Sequence, residues 1–222
     1  MSIRPVKSVS QSKPTLEGAG VRLRRAFGFG DTSDFDPFLL MDDFRGAQPR
    51  DYIAGFPWHP HRGIETITYV LAGSVAHGDS LGNAGVLGAG DVQWMTAGRG
   101  ILHQEMPKGD NLGRMHGFQL WANLPSSLKM TAPRYQDVPS LAIPEIVDDD
   151  GARVRVICGE FWGKKGPGDE VVVEAGEQGG RFLLVSGKPL REPIAWHGPI
   201  VMNTQAEIRQ ALTDLQDGSF IR

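Results

Sequence analysis

The sequence predicts a mainly β protein, a closed barrel or jelly roll, and three observations point there. Its 29 glycines and 15 prolines punctuate short apolar runs, a pattern that suits many tight turns better than a helical bundle. The runs alternate apolar and polar residues with a period of two, as half-buried strands do, and a helical period is clear only near the C-terminus. Closure follows because an antiparallel sheet of many short strands loses its edges by closing on itself.

Taken in order, strands are expected at Val21 to Phe27, Glu65 to Leu71, Gly73 to Asp79, Asp91 to Met95, Met115 to Asn123 and Arg153 to Gly159. Turn signals separate them: Gly82-Asn83, Gly88-Ala89-Gly90 and Ala97-Gly98-Arg99-Gly100. Leu124-Pro125-Ser126-Ser127 starts a short helical turn. The Pro- and Asp-rich stretch Tyr135 to Asp150 reads as a connection. Residues 1–134 then form an N-terminal barrel, 135–150 a linker and 151–222 a shorter C-terminal unit. There Asn203 and Thr204 cap a helix in which Ile208, Ala211, Leu212 and Leu215 recur at helical spacing up to Gly218. The triplet Asp148-Asp149-Asp150 lacks the ligand spacing of a calcium loop and reads as a solvated turn.

Composition excludes some functions. With a net charge of −3, a pI near 6.1 and no block of Lys and Arg, direct nucleic-acid binding is not expected. Arg22, Arg24 and Arg25 form the densest basic cluster, and Asp31, Asp34 and Asp36 are placed to compensate it. The single cysteine, Cys158, rules out an internal disulfide. It sits in the apolar run Val154 to Cys158 and reads as a small buried hydrophobe. Met1 to Thr15 is polar and no stretch approaches the ~20 apolar residues of a membrane span, so the expectation is a cytoplasmic protein without membrane contact.

Four of the six histidines lie between His59 and His103. In His59-Pro60-His61 two imidazoles are two residues apart, so on an extended backbone they share a face. His103 and Glu105 repeat the spacing after a Gly-rich turn. Two adjacent strands would thus bring three imidazoles and a carboxylate to one point. Burying such a set without a metal would leave donors and an ionised group in need of partners. His59, His61, His103 and Glu105 are therefore the candidate metal ligands. The set suits iron, copper, zinc, nickel or manganese and does not by itself choose among them. His77 and His197 read as structural or surface residues, and His116 as a pocket-lining or ligand-orienting one.

Pro57 to Thr66 (PWHPHRGIET) resembles the first metal motif of cupins in the form found in pirins, and Met95 to Glu105 (MTAGRGILHQE) resembles the pirin version of the second. Asp36 to Phe44, Gly117 to Pro125 and Pro199 to Gly218 are similar to pirins as well. The resemblance implies a cupin-type barrel, one metal ion, expected to be iron, and the ligands His59, His61, His103 and Glu105. Glu65 occupies the place of a ligand in many other cupins, but the resemblance gives that role to Glu105 and leaves Glu65 at the rim. Pirins resemble two barrels in tandem. Here Gly159 to Pro167 runs almost at once into Glu170 to Gly176, which is similar to the late strands of the second barrel. A bicupin-like chain with an incomplete second barrel is expected, its apolar residues Val171, Val173, Phe182, Leu184 and Ile200 covered by the first barrel or by a second copy in a homodimer.

The resemblance also implies an activity, a metal-dependent dioxygenase of the quercetin 2,3-dioxygenase type acting on a flavonol-like phenol, with Glu105 as the catalytic proton acceptor. Phe44, Phe56, Trp94, Met95, Phe118 and Trp121 would supply walls for a small aromatic substrate. The alternative is a metal-dependent, redox-sensing regulator that binds a protein partner such as a transcription factor or metabolic enzyme. A third reading is a cupin that binds metal and has no dedicated substrate.

Overall fold

The computed structural model describes residues 6–147, 149, 151, 153–161, 164–165 and 182–221. In chain order the barrel strands are β1 (Lys13–Glu17), β2 (Val21–Phe27), β3 (Phe38–Asp43), β4 (Phe56–His61), β5 (Ile64–Ala72), β6 (Ser74–Asp79), β7 (Ala84–Leu87), β8 (Val92–Thr96), β9 (Ile101–Lys108), β10 (His116–Asn123) and β11 (Arg134–Val138). A one-turn helix α1 (Thr32–Phe35) leads into β3. Seven strands form one sheet in the order β1-β2-β3-β10-β5-β8-β11, and four form the other in the order β4-β9-β6-β7. Every pairing is antiparallel. The architecture is the expected cupin-type jelly roll.

Period-two alternation decides what faces inward. In β9, Ile101, His103, Glu105 and Pro107 are buried while Leu102, Gln104 and Met106 are half-buried; in β5, Ile64, Thr66, Thr68 and Val70 are buried. Apolar side chains from both sheets meet in two clusters. Val21, Leu23, Val70, Val75 and Leu87 belong to one, and Leu39, Ile64, Met95, Ile101 and Val201 to the other.

Val201 comes from the C-terminal part of the chain, whose remaining elements are short. They are β12 (Glu145–Val147) with β13 (Arg153–Arg155), β14 (Glu160–Phe161) with β15 (Lys164–Lys165), the hairpin β16 (Ala195–His197) with β17 (Ile200–Met202), and the helix α2 (Gln205–Gln216). Among the described residues these strands form three separate pairs and no second barrel. Thr204 closes α2 with a capping box: its side chain accepts from Glu207 N and Glu207 accepts from Thr204 N. Ile208 and Ala211 then bury against Ala195, Ile200 and Met202.

This unit packs directly on the barrel, one of the two expected solutions, and buries Ile200 to 1% exposure. Val201 N donates to Arg62 O at 3.0 Å. The Arg62 guanidinium meets Asp214 of α2 at 2.6 Å and lies over the Phe220 ring. Lys129, 1% exposed, donates to Gly63 O, Val201 O and Asn123 Oδ1 at 2.8–2.9 Å. Its hydrogen-bond partners are neutral oxygens, and burial, only partly offset by the charges of Glu192 and Glu207, lowers its pKa to about 8. Phe182 and Leu184 remain exposed, and Val171, Val173 and the Glu170 to Gly176 segment lie outside the described residues.

Three local readings change. Residues 134–138, read partly as connection, form β11 and extend the sheet beside β8, a strand hidden by its polar composition. Cys158 is exposed, because β13 stops at Arg155 and Val156 takes the buried position. The basic cluster is compensated elsewhere: Arg25 pairs with Glu17 and Asp42, while Asp34 pairs with Lys7. Asp148 and Asp150 of the acidic triplet lie outside the described residues. Among the described residues no helix is long and apolar enough to cross a membrane.

Candidate metal centre

β4 and β9 are hydrogen-bonded neighbours, and their register sets His59 opposite His103 and His61 opposite Ile101. Three imidazoles converge as the spacing predicts. His59 Nε2 lies 3.1 Å from His61 Nε2 and 2.9 Å from His103 Nε2. The ring centroids are 4.4–4.9 Å apart. His61 and His103 are each 1% exposed, and His59 is half-buried.

The protons show what this cluster is suited to hold. A backbone carbonyl can only accept, so Nδ1–H of His59 donates to Pro57 O at 2.8 Å and Nδ1–H of His61 donates to Pro199 O at 3.1 Å. Both Nε2 atoms are then bare lone pairs pointed at one another. Burial, with His59 adding to it, drives the His61 pKa down to about 3, and burial with His61, His59 and His77 holds His103 well below its ordinary value. Imidazole nitrogens converging in this way, two of them on rings kept neutral by burial, fit a transition-metal ion, and these three are the group among the described residues able to hold one.

Glu105 is not in that group. It lies two residues beyond His103 on the same face of β9, 4% exposed, and its carboxylate is held from the opposite sheet. Gln119 Nε2 on β10 donates to both carboxylate oxygens at 2.9 and 3.1 Å, and Thr68 Oγ1 on β5 donates to one at 3.1 Å. Trp121, two residues along β10 from Gln119, donates Nε1–H to Gln119 Oε1 and presents its ring edge-on to His61 at 5.1 Å. Behind Glu105 and Gln119 lies a cavity of about 20 Å³ walled by Val21, Phe44, Phe56 and Val75, room for one water.

Glu65 accepts from Trp94 Nε1 and Thr96 Oγ1. It alternates with Thr66 and Thr68 along β5 and so faces away from Glu105. Trp94 and Phe118 lie on that outer face too, whereas Trp121, Met95, Phe44 and Phe56 point inward. His77 is buried opposite Glu105 in the β6–β9 register, 2.6 Å from the Tyr135 hydroxyl and 3.3 Å from Asp137. Burial, with Glu105, Asp137 and Asp79 nearby, raises the Tyr135 phenol well above its usual range, so its hydroxyl stays neutral beside His77. His116 packs against Phe118 beside Asp43, and His197 is exposed at the end of β16.

Gln119, Thr68 and the Pro199 carbonyl are the contacts that the motifs do not announce. Alternation along β5 and β10 places Thr68 and Gln119 inward, a signal present in the sequence. Nothing local signals Pro199, 138 residues from His61.

Comparison with known proteins places the chain in a family. Residues 20–122 match the Pirin family model and 156–221 match the Pirin C-terminal cupin domain. A pirin-like protein of Caulobacter vibrioides is 40% identical over 278 aligned positions, covering 99% of this chain and 100% of that one. Human pirin is 39% identical over 93% of this chain and 90% of its own length. The Caulobacter alignment is longer than the 222 residues here, so more than fifty of its positions have no counterpart in this chain. A crystal structure of quercetin 2,3-dioxygenase from Acinetobacter baumannii superposes with a TM-score of 0.80 at 32% identity, covering 95% of this chain and 96% of that chain. The chain belongs to the pirin family.

Proposed function

We propose that this pirin-family chain is a metal-dependent dioxygenase of the quercetin 2,3-dioxygenase type, acting on a flavonol-like phenol. The observation that carries the reading is the convergence of three imidazole nitrogens beside a buried, donor-held carboxylate. His59, His61 and His103 would hold the ion, with iron the first candidate and copper, zinc, nickel or manganese the others. Such an ion supplies Lewis-acid and redox chemistry toward a phenol and oxygen.

The chain's own groups divide the remaining work. Glu105 takes the phenol proton, and Gln119 and Thr68 hold its carboxylate in place until it does. As a fourth ligand Glu105 would exchange those donors for the ion. Trp121 closes the wall beside His61. A flavonol approaches from the side of half-exposed His59, because the cavity behind Glu105 holds only a water. Oxygen uptake with quercetin, measured on metal-loaded protein before and after chelation, tests the activity. A rate abolished by chelation supports it, and no rate with any of the five metals refutes it.

The small size of that cavity favours a second reading, a metal-dependent regulator that binds a protein partner. Metal-dependent complex formation with no oxygen uptake would decide for it.

A further inference from the structure

We propose, on the premise that His61 is a metal ligand, that the C-terminal hairpin is part of the metal centre: the Pro199 carbonyl keeps the His61 proton on Nδ1 and so aims Nε2 at the ion. A hydrogen-bond acceptor on the far nitrogen fixes both tautomer and ring orientation of a ligating histidine. Here the acceptor comes from the tail, 3.1 Å from His61 Nδ1.

The neighbouring contacts hold that carbonyl in place. Arg62 bridges Ile200 in parallel, and Arg62 O accepts from Val201 N at 3.0 Å. Lys129 reaches Gly63 O and Val201 O, each at 2.9 Å, joining the residues that follow His61 to those that follow Pro199. Gly198 and Pro199 form the two-residue turn between β16 and β17, with Gly198 at φ +52°. Trp196 Nε1 donates to Gly198 O at 2.7 Å and braces the turn from within. The Trp196 ring also packs 6.0 Å from Trp121, which stands edge-on to His61. A chain shortened elsewhere thus keeps docked the hairpin that completes the surroundings of His61.

The test perturbs the turn without touching the ligands. Gly198→Val forces a β-branched residue into a left-handed backbone, while no atom lies within 4 Å of the added Cβ. Gly198→Asn is the tolerated control. Lys129→Met releases the clamp from the other side and keeps most of the side chain's bulk. ¹⁵N NMR of histidine-labelled, metal-free protein reads which ring nitrogen of His61 carries the proton, and chelator competition reads zinc(II) affinity. Melting curves select the folded variants.

The parent should show His61 protonated on Nδ1. Gly198→Val and Lys129→Met should lose that preference and bind zinc about ten- to a hundredfold more weakly, and Gly198→Asn should match the parent. An Nε2-protonated His61 in the metal-free parent overturns the proposal, as does unchanged zinc affinity in both perturbed variants. A parent that takes up no zinc refutes the ligation itself, whereas unchanged affinity in the variants of a zinc-binding parent refutes the role of the hairpin alone.

Discussion

Asp214→Asn should destabilise the whole fold far more than a surface substitution, because Asp214 is the carboxylate that meets a charge buried next to His61. The side chains of Arg62 and Asp214 are 4% and 7% exposed, and their closest atoms are 2.6 Å apart. Removing one partner of such a pair strands the other charge and costs about 3–5 kcal/mol. Arg62 keeps partial compensation from Phe220 O at 3.3 Å and from the Phe220 ring, so the lower end applies, about 3 kcal/mol. For a chain of this size each kcal/mol moves the midpoint by about 2–4 °C, giving a drop of roughly 6–12 °C in Tm. Replacing both partners with apolar residues of similar shape, Arg62→Met with Asp214→Leu, should recover most of the loss. The assay is thermal and urea unfolding of the parent, each single variant and the double variant. A loss below about 1 kcal/mol in Asp214→Asn, the range of an exposed pair, would refute the claim that this ion pair is a buried link between tail and barrel.

Glu105→Gln keeps shape and loses basicity, so quercetin-dependent oxygen uptake should fall by about two to four orders of magnitude while metal content is largely retained; equal turnover would remove Glu105 from proton transfer. The metal-free protein should lose stability as pH falls. Folded His61 titrates near 3 and folded His103 well below 6.5, whereas the unfolded imidazoles titrate near ~6.5, so their contribution is fully present above that value and is lost on descending from it towards pH 3. Urea unfolding at pH 7 and pH 4.5 should show this loss, and a His61→Phe variant should show a shallower one; parallel behaviour of the two proteins would contradict the shift. Metal affinity should also fall less steeply below pH 6.5 than three ordinary imidazoles would dictate, since two of the three are already held neutral; a chelator titration at pH 5.5 and pH 7 measures it.

What was legible in the sequence was local. The spacing of two in His59-Pro60-His61 and in His103-Gln104-Glu105 is a statement about strand faces, and the β4–β9 register turns it into a cluster. The C-terminal helix was equally readable from Thr204, Glu207 and the Ile208/Ala211 face. Contacts made across space were not. Gln119 and Thr68 reach Glu105 from the opposite sheet, and Pro199 reaches His61 from the other end of the chain. β11 was hidden because Gln136 and Asp137 carry the composition of a loop while pairing with β8. Cys158 was misplaced because an apolar run says nothing about where a short strand stops. Lys129 carried no signal at all: a lysine closed inside three neutral oxygens looks in sequence like any surface lysine.

The central claim is that three imidazoles hold a metal ion. Metal analysis of the parent beside His59→Ala, His61→Ala and His103→Ala, each loaded at neutral pH, desalted and confirmed folded, tests it most directly. One ion per chain in the parent and loss of tight binding in each variant is the predicted result, because removing one of three donors leaves too few to hold it. Full stoichiometry in His61→Ala or His103→Ala would contradict it, since those two rings are the buried members of the three-imidazole group.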